Sequence, residues 1–218
     1  MLVRDRMSSD PTTITPNTTM KEALELIRSR PFRHLPVVDA QGKLVSIVTE
    51  KDLVYASPSP DLSLSVFEID YLLSRTSVGQ IMKKEEVVTV SPDLPIEEAA
   101  RVMVDHRIGC LPVLEDDELV GIISDTDIFR VFVEGLGGGH PSLRITVVIP
   151  EQVGSLARVV DRIASMGGNI HSLGTFWGEQ REDRIIAFRV ERLDRGALVE
   201  ALRMDGIEVR HVWEASES

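Results

Sequence analysis

Two four-residue windows carry a hydroxyl and a carboxylate at a fixed spacing. Thr49-Glu50-Lys51-Asp52 follows the apolar run Leu44-Val45-Ser46-Ile47-Val48, and Ser124-Asp125-Thr126-Asp127 follows Leu119-Val120-Gly121-Ile122-Ile123. Such a run ending in Ser or Thr reads as a strand giving way to a helix, with the hydroxyl at the N-cap. First-turn amides and the helix dipole make that point a seat for an anion. The hydroxyl can donate to a phosphate oxygen. A carboxylate three residues on offers only acceptors and can take both hydroxyls of a ribose. The same spacing suits a plain capping box, in which the acid bonds back to the cap. One copy alone favours the capping box; two copies in matching context favour a ligand seat.

The elements around these windows repeat. Met7 precedes Thr13-Ile14-Thr15-Pro16 as Met82 precedes Thr89-Val90-Ser91-Pro92. Met20 to Ile27 matches Ile96 to Met103, both apolar at helical spacing. Leu35-Pro36-Val37-Val38 matches Leu111-Pro112-Val113-Leu114, and the two seats follow. Each copy predicts strand, helix, strand, turn, strand, helix. The turns are Asp39 to Lys43 and Glu115 to Glu118; the second lacks the glycine, so its geometry must differ. Its acidic run reads as a solvated tip rather than a cation site. Ser57-Pro58-Ser59-Pro60 breaks the chain, and Leu62 to Leu73 predicts a short apolar helix, either a dimer contact or a cap on its own chain. Two copies packed face to face leave two related clefts.

These landmarks resemble the CBS domain, a regulatory module found as tandem pairs (Bateman modules). The resemblance covers residues 1–135 and implies that an adenine nucleotide, AMP, ADP or ATP, binds in the clefts between the copies. It implies Thr49, Asp52, Ser124 and Asp127 as contacts, with Thr13 and Thr89 near phosphate or adenine. Ile14, Val90, Pro36 and Pro112 would wall the base. The copies differ in charge: the first offers Lys51, Arg33 and His34, whereas the second has Gly109 and Cys110 there and Arg130 one turn beyond Asp127. One or two cations per seat favour AMP or ADP over ATP; S-adenosylmethionine is the family's alternative.

Gly135-Leu136-Gly137-Gly138-Gly139-His140-Pro141 predicts a flexible linker. It is no phosphate loop, because no Lys-Ser/Thr follows. Beyond it, strand Leu143–Ile149, a helix with Leu156, Val159, Val160, Ile163 and Ala164 on one face, strands from Ile170 and Arg184, a helix capped by Asp194 and a last strand Ile207–Trp213 give βαββαβ, the ferredoxin-like order. Gly154, Leu156 and Asn169-Ile170 resemble the ACT domain, a regulatory module that often answers to amino acids. The turn has Val153 where that family has proline. The resemblance marks Gln152, Gly154, Ser155 and Asn169 as ligand candidates, beside a dimerisation role. A tandem CBS pair followed by an ACT domain resembles the acetoin-utilisation AcuB-type family.

The fold class expected is α/β (α+β): β-α-β-β-α copies at 1–56 and 77–134, joined by 57–76, then a linker at 135–141 and the ACT-like domain at 142–215. Among 218 residues the net charge is −11, which argues against a nucleic-acid or anionic-membrane surface. The lone cysteine, Cys110, allows no internal disulfide, and the five histidines fall on separate elements, so neither a metal site nor a catalytic residue is expected. No signal peptide or membrane span is visible, which makes cytoplasm the default. The function expected is a non-catalytic ligand sensor, a homodimer, linked by resemblance to acetoin utilisation. The alternative is an assembly or scaffold subunit that regulates a partner enzyme without binding nucleotide.

Overall fold

The computed structural model describes residues 1–30, 32–59, 64–178 and 182–214. Pro60 of the expected breaker, residues 62 and 63 of the expected apolar helix, and residue 215 lie outside the described residues. The chain divides into two compact units, Met1–Ile128 and Phe129–Ser218.

The first unit opens with a 3-10 turn, Val3–Asp5, and continues β1 Ser8–Ser9, α1 Met20–Ser29, β2 His34–Val38, β3 Leu44–Thr49, α2 Glu50–Ala56, α3 Val66–Arg75, α4 Val78–Ile81, α5 Ile96–His106, β4 Cys110–Glu115 and β5 Glu118–Ser124. Helix α6, Asp125–Gly135, starts here and runs on into the second unit. The helices follow from spacing and caps. Helix α1 buries Met20, Ala23, Leu24 and Ile27 on one face, and Thr19 and Glu22 close a capping box at its start. Helix α5 buries Ile96, Ala99 and Met103 and ends at Arg107, whose φ of 54° is left-handed.

The expected first strand of each copy shrinks to one parallel bridge, Ile14 to Val37 and Val90 to Val113. A proline stands two residues after each bridge, at 16 and 92, and has no N–H to extend a ladder. The hairpins β2–β3 and β4–β5 form as expected. In the first turn Gly42 takes φ 84° and Asp39 Oδ1 accepts the Gln41 and Lys43 amides, both at 2.9 Å. In the second, Asp116 and Asp117 take φ of 50° and 65°, a conformation short polar side chains tolerate.

The lead-in of each copy docks on the other. Residues 8 and 9 pair with β5, Val3 is fully buried, and Leu2 bridges Pro95. Reciprocally, Ser77 bridges Thr19, and Val78 joins the first copy's core with Leu35, Val37, Val48 and Leu53. The 76/77 boundary expected from the sequence therefore falls in a segment packed on the first copy. Helix α4 was not anticipated; its Gly79 donates to Pro16 O at 2.8 Å, and a Cβ there would lie 3.0 Å from that oxygen. Helix α3 packs Leu73 against this core and pairs Asp70 with Lys21 at 2.7 Å, while Val66, Phe67 and Tyr71 stay exposed.

The second unit continues β6 Leu143–Pro150, α7 Ser155–Ser165, β7 Asn169–Trp177, β8 Asp183–Glu191, α8 Arg195–Met204 and β9 Glu208–Glu214. Its antiparallel sheet has the order β7-β8-β6-β9. One sheet face, with Ile145, Val147, Ile186, Phe188 and Val190, packs on Val159, Ile163, Leu198 and Leu202 of the two helices. Truncating a buried Phe188 in such a core costs about 3–5 kcal/mol. Two expectations need correction. Leu156 and Ala164 are exposed; the buried residues of α7, Ser155, Val159 and Ile163, are spaced four apart and form one narrow stripe that leaves Leu156 and Ala164 at its side.

The Gly-rich segment is not a free linker. It belongs to the second unit, and Arg189 on β8 clamps it, donating from Nε to Leu136 O at 3.0 Å and from Nη1 to His140 O and Ser142 Oγ, both at 3.3 Å. Gly137, at φ 67°, lies so close to Ser172 and Arg189 that a Cβ would fall 2.7 Å from Ser172 Oγ. Leu136 fits over Gly174, where a Cβ would meet it at 2.6 Å. The glycines serve close approach to the sheet.

Candidate functional site

The two seats have the same local geometry. Strand β3 ends at Thr49, which is extended (φ −102°, ψ 162°), and α2 begins at the next residue. Asp52 Oδ2 accepts the Thr49 amide at 2.9 Å and its hydroxyl at 2.6 Å, while Thr49 Oγ1 accepts the Asp52 amide at 3.2 Å. In the second copy, Asp127 Oδ2 accepts the Ser124 amide at 2.9 Å and its hydroxyl at 2.6 Å; the return bond is 3.4 Å. The capping box anticipated as an alternative is thus formed in both copies. It fixes the carboxylate at the helix N-terminus and leaves Thr49 and Ser124 engaged with it.

The hairpin register gathers the other expected residues. His34 stands opposite Thr49, and Cys110 opposite Ser124. Pro36 and Pro112 are buried two residues along, and their carbonyls accept the amides of Ile14 (3.0 Å) and Val90 (3.1 Å). Ile14 and Val90 are themselves buried, whereas Thr13 is exposed beside its bridge and Thr89 is half-buried. So each copy sets a Thr and an apolar residue on the bridging segment beside the buried Pro of β2 or β4, the strand that pairs with the one ending at the seat. Lys51 is exposed, its Nζ 5.5 Å from the centre of the Tyr55 ring. Arg130 follows Asp127 by one turn of α6 but lies in the second unit.

The two copies meet where β2 and β4 begin. A Cβ on Gly109 would lie 3.2 Å from Asp125 Oδ2 and 3.9 Å from His34 Nε2, so this glycine leaves room for both. Burial lowers the His34 pKa from its ordinary value, and Arg33 adds to that, while Asp125 and Asp52 oppose it. Burial pushes the Cys110 thiol up to about 12, and Asp125 and Asp52 act the same way. A thiol so held is no nucleophile. Among the described residues no group of three or more His, Cys, Asp or Glu is placed to hold a metal ion. No described helix is long and apolar enough to cross a membrane.

The sequence model of the CBS domain matches residues 3–59 and again 78–134. The chain belongs to the CBS domain family. An acetoin utilization protein (AcuB) of Vibrio cholerae is similar in structure, with a TM-score of 0.50 and 34% identity over 61% of this chain and 90% of that one. A CBS domain pair solved with 5′-methylthioadenosine and S-adenosyl-L-methionine superposes at 0.50 with 31% identity, over 61% of this chain and 95% of that one. CBSX2 solved with AMP does so at 0.50 with 26% identity, covering 61% and 96%. In several matching enzymes the shared stretch is only 23–25% of their length.

Within this CBS pair, spacing singled out Thr49, Asp52, Ser124 and Asp127, but not Asp125 as a neighbour of His34. Asp125, whose amide donates to Gly109 O within the second copy, puts its charge beside His34 of the first. One signal was legible: an acidic residue follows the cap in both copies, Glu50 and Asp125.

The ligand candidates of the second unit do not converge. Gln152, Gly154 and Ser155 form the turn after β6, whose Pro150 pairs with Asp183. Asn169 pairs with Glu191 at the other end of β8. The chain reverses through α7 between them, which separates them by the length of the sheet. Ser155 is buried and accepts from Arg158 at 3.4 Å. Gly154 has φ 85° and open space where a Cβ would stand, so its conformation, not a close approach, demands glycine.

Proposed function

We propose that the CBS pair is a non-catalytic sensor of an adenosine-bearing ligand, with one seat per copy. The observation that carries this is the identical Thr49–Asp52 and Ser124–Asp127 geometry at two strand-to-helix junctions, each beside an apolar residue and a buried proline. In this reading the carboxylates take the ribose hydroxyls, Ile14, Val90, Pro36 and Pro112 wall the base, and Thr13 and Thr89 reach its polar edge or the phosphate. Lys51, His34 and Arg130 favour a ligand with one or two phosphates, AMP or ADP. The AMP complex of the similar CBSX2 supports that choice. The methylthioadenosine and S-adenosylmethionine complex of another similar pair supports a phosphate-free adenosine as the second reading.

For the second unit, the β-α-β-β-α-β order and the sheet order support a ferredoxin-like, ACT-type module. Its role in this reading is to hold two copies of a cytoplasmic protein together or to bind a small molecule such as an amino acid. Likeness to the Vibrio protein supports a place in acetoin utilisation.

Thermal denaturation of the full chain with AMP, ADP, ATP, 5′-methylthioadenosine and S-adenosylmethionine tests the sensor. A ligand at about 100 times its Kd stabilises by about 2.7 kcal/mol, a readily measured rise in Tm. AMP and ADP are expected to give the largest shifts. No shift with any of the five leaves the scaffold reading in its place.

A further inference from the structure

Helix α8 and strand β9 border an open groove of about 880 Å³ in the second unit. Its walls carry Arg195, Arg203, Arg210 and His211 against the single lining acid Glu200. That reverses the sign of a chain whose net charge is −11. Arg195 and Arg203 are exposed and stand in no ion pair among the described residues. Arg210 Nε donates to Glu208 at 3.3 Å. The floor is apolar, with Val199, Val209 and Val212 half-buried, and the exposed Met204 adds an apolar rim.

The arrangement of charge selects the ligand class. Arg195 and Arg203 are eight residues apart on α8, about 12 Å along its axis. One phosphate or carboxylate cannot engage both. Strand β9 is an edge strand that runs back along the helix, and Arg210, which also lines the groove, is the extra residue of a β-bulge in it: Val209 faces Val147 and His211 faces Thr146. The cations are therefore strung along the groove. A bulge interrupts the outer ladder of the edge, so an added chain would be held by side chains more than by continuous strand pairing. An extended peptide places alternate side chains about 7 Å apart on one side. Acidic residues at such positions match the arginines, and apolar residues between them find the floor. A sugar-phosphate chain has no use for an apolar floor of this kind.

We propose that the α8–β9 groove is a docking site for an extended acidic segment of a partner protein. It is separate from the CBS seats and does not depend on them. The probe is a capped, fluorescein-labelled ten-residue peptide alternating Glu and Val, titrated into the full-length protein by anisotropy, with its Gln/Val analogue as control. Saturable binding is expected, at least tenfold weaker for the Gln analogue and for R195E/R203E, with circular dichroism checking that the variant is folded. A Lys/Val peptide is expected to bind R195E/R203E better than wild type. Citrate and polyphosphate at matched charge are expected to displace the probe poorly. Equal affinity of wild type and R195E/R203E overturns the proposal, as does no binding at millimolar peptide. Tighter competition by polyphosphate or citrate than by unlabelled peptide makes the groove a simple anion sink and overturns it too. If R195E/R203E fails to fold, R195Q/R203Q takes its place with the same criteria.

Discussion

Asp52 holds Thr49 through a single oxygen: Oδ2 accepts both the amide, at 2.9 Å, and the hydroxyl, at 2.6 Å. One group thus secures a helix end and presents a carboxylate at it. Structure and ligand binding are expected to separate in Asp52→Asn, which keeps an oxygen for the cap and loses the charge. The variant should lose about 1 kcal/mol or less in urea unfolding but at least tenfold in AMP affinity by calorimetry. The corresponding Asp127→Asn change should weaken the other seat. An affinity unchanged in both variants reduces the motif to a cap.

Cys110 should be chemically silent in the native protein. Its thiol is held up to about 12 by burial, with Asp125 and Asp52 adding to it. At about pH 8 a disulfide reagent should label it only on the timescale of unfolding, and at once in urea. Rapid native labelling would mean that the meeting point of the two copies opens readily.

His34 should make the fold sensitive to mild acid. Burial favours its neutral form, so the folded pKa lies below the unfolded value of about 6.5. The unfolded chain then binds more protons in the window below about pH 6.5, and stability falls as pH drops through it. His34→Gln should flatten the slope of unfolding free energy between about pH 7.5 and about pH 5.5. An identical slope places the acid sensitivity in the carboxylates instead.

Arg189→Met should unfasten the Gly-rich segment. It strands the carbonyl of Leu136 and leaves that of His140 with the Ser142 hydroxyl alone, and a lost partner of this kind costs about 1–3 kcal/mol. Cleavage by a broad-specificity protease within residues 135–141 should speed up markedly, with little change elsewhere. Gly137→Ala should act in the same direction, because its φ of 67° and the nearby Ser172 oxygen both oppose a side chain.

Legibility followed periodicity. Helices α1 and α5 were visible from apolar spacing, as at Met20, Ala23 and Ile27, and α8 from its Asp194 cap with Leu198 and Leu202. The hairpins were visible because Leu-Pro-Val runs and turn residues recur. What depends on contacts between distant segments was not. Nothing local in Ser8–Ser9 says that it pairs with β5, or in Val78 that it completes the core of the other copy. The glycines at 137–139 read as slack, since composition cannot reveal an arginine 50 residues on that binds their neighbours. The seats lie between these cases. Their residue types and spacing were plain, but His34 lies near Gly109 and Asp125, which one hairpin already sets side by side, only because the copies meet there.

The clamp of Arg189 bears on how the chain can be divided. The segment that looks like spare cord is moored to the second unit, and the passage between the units falls inside α6, at Ile128 and Phe129. Scissors at the glycines would strip the C-terminal piece of its mooring; scissors at the unit boundary would leave each piece with half a helix. A C-terminal piece that keeps its mooring must therefore begin before Leu136, whose carbonyl Arg189 holds.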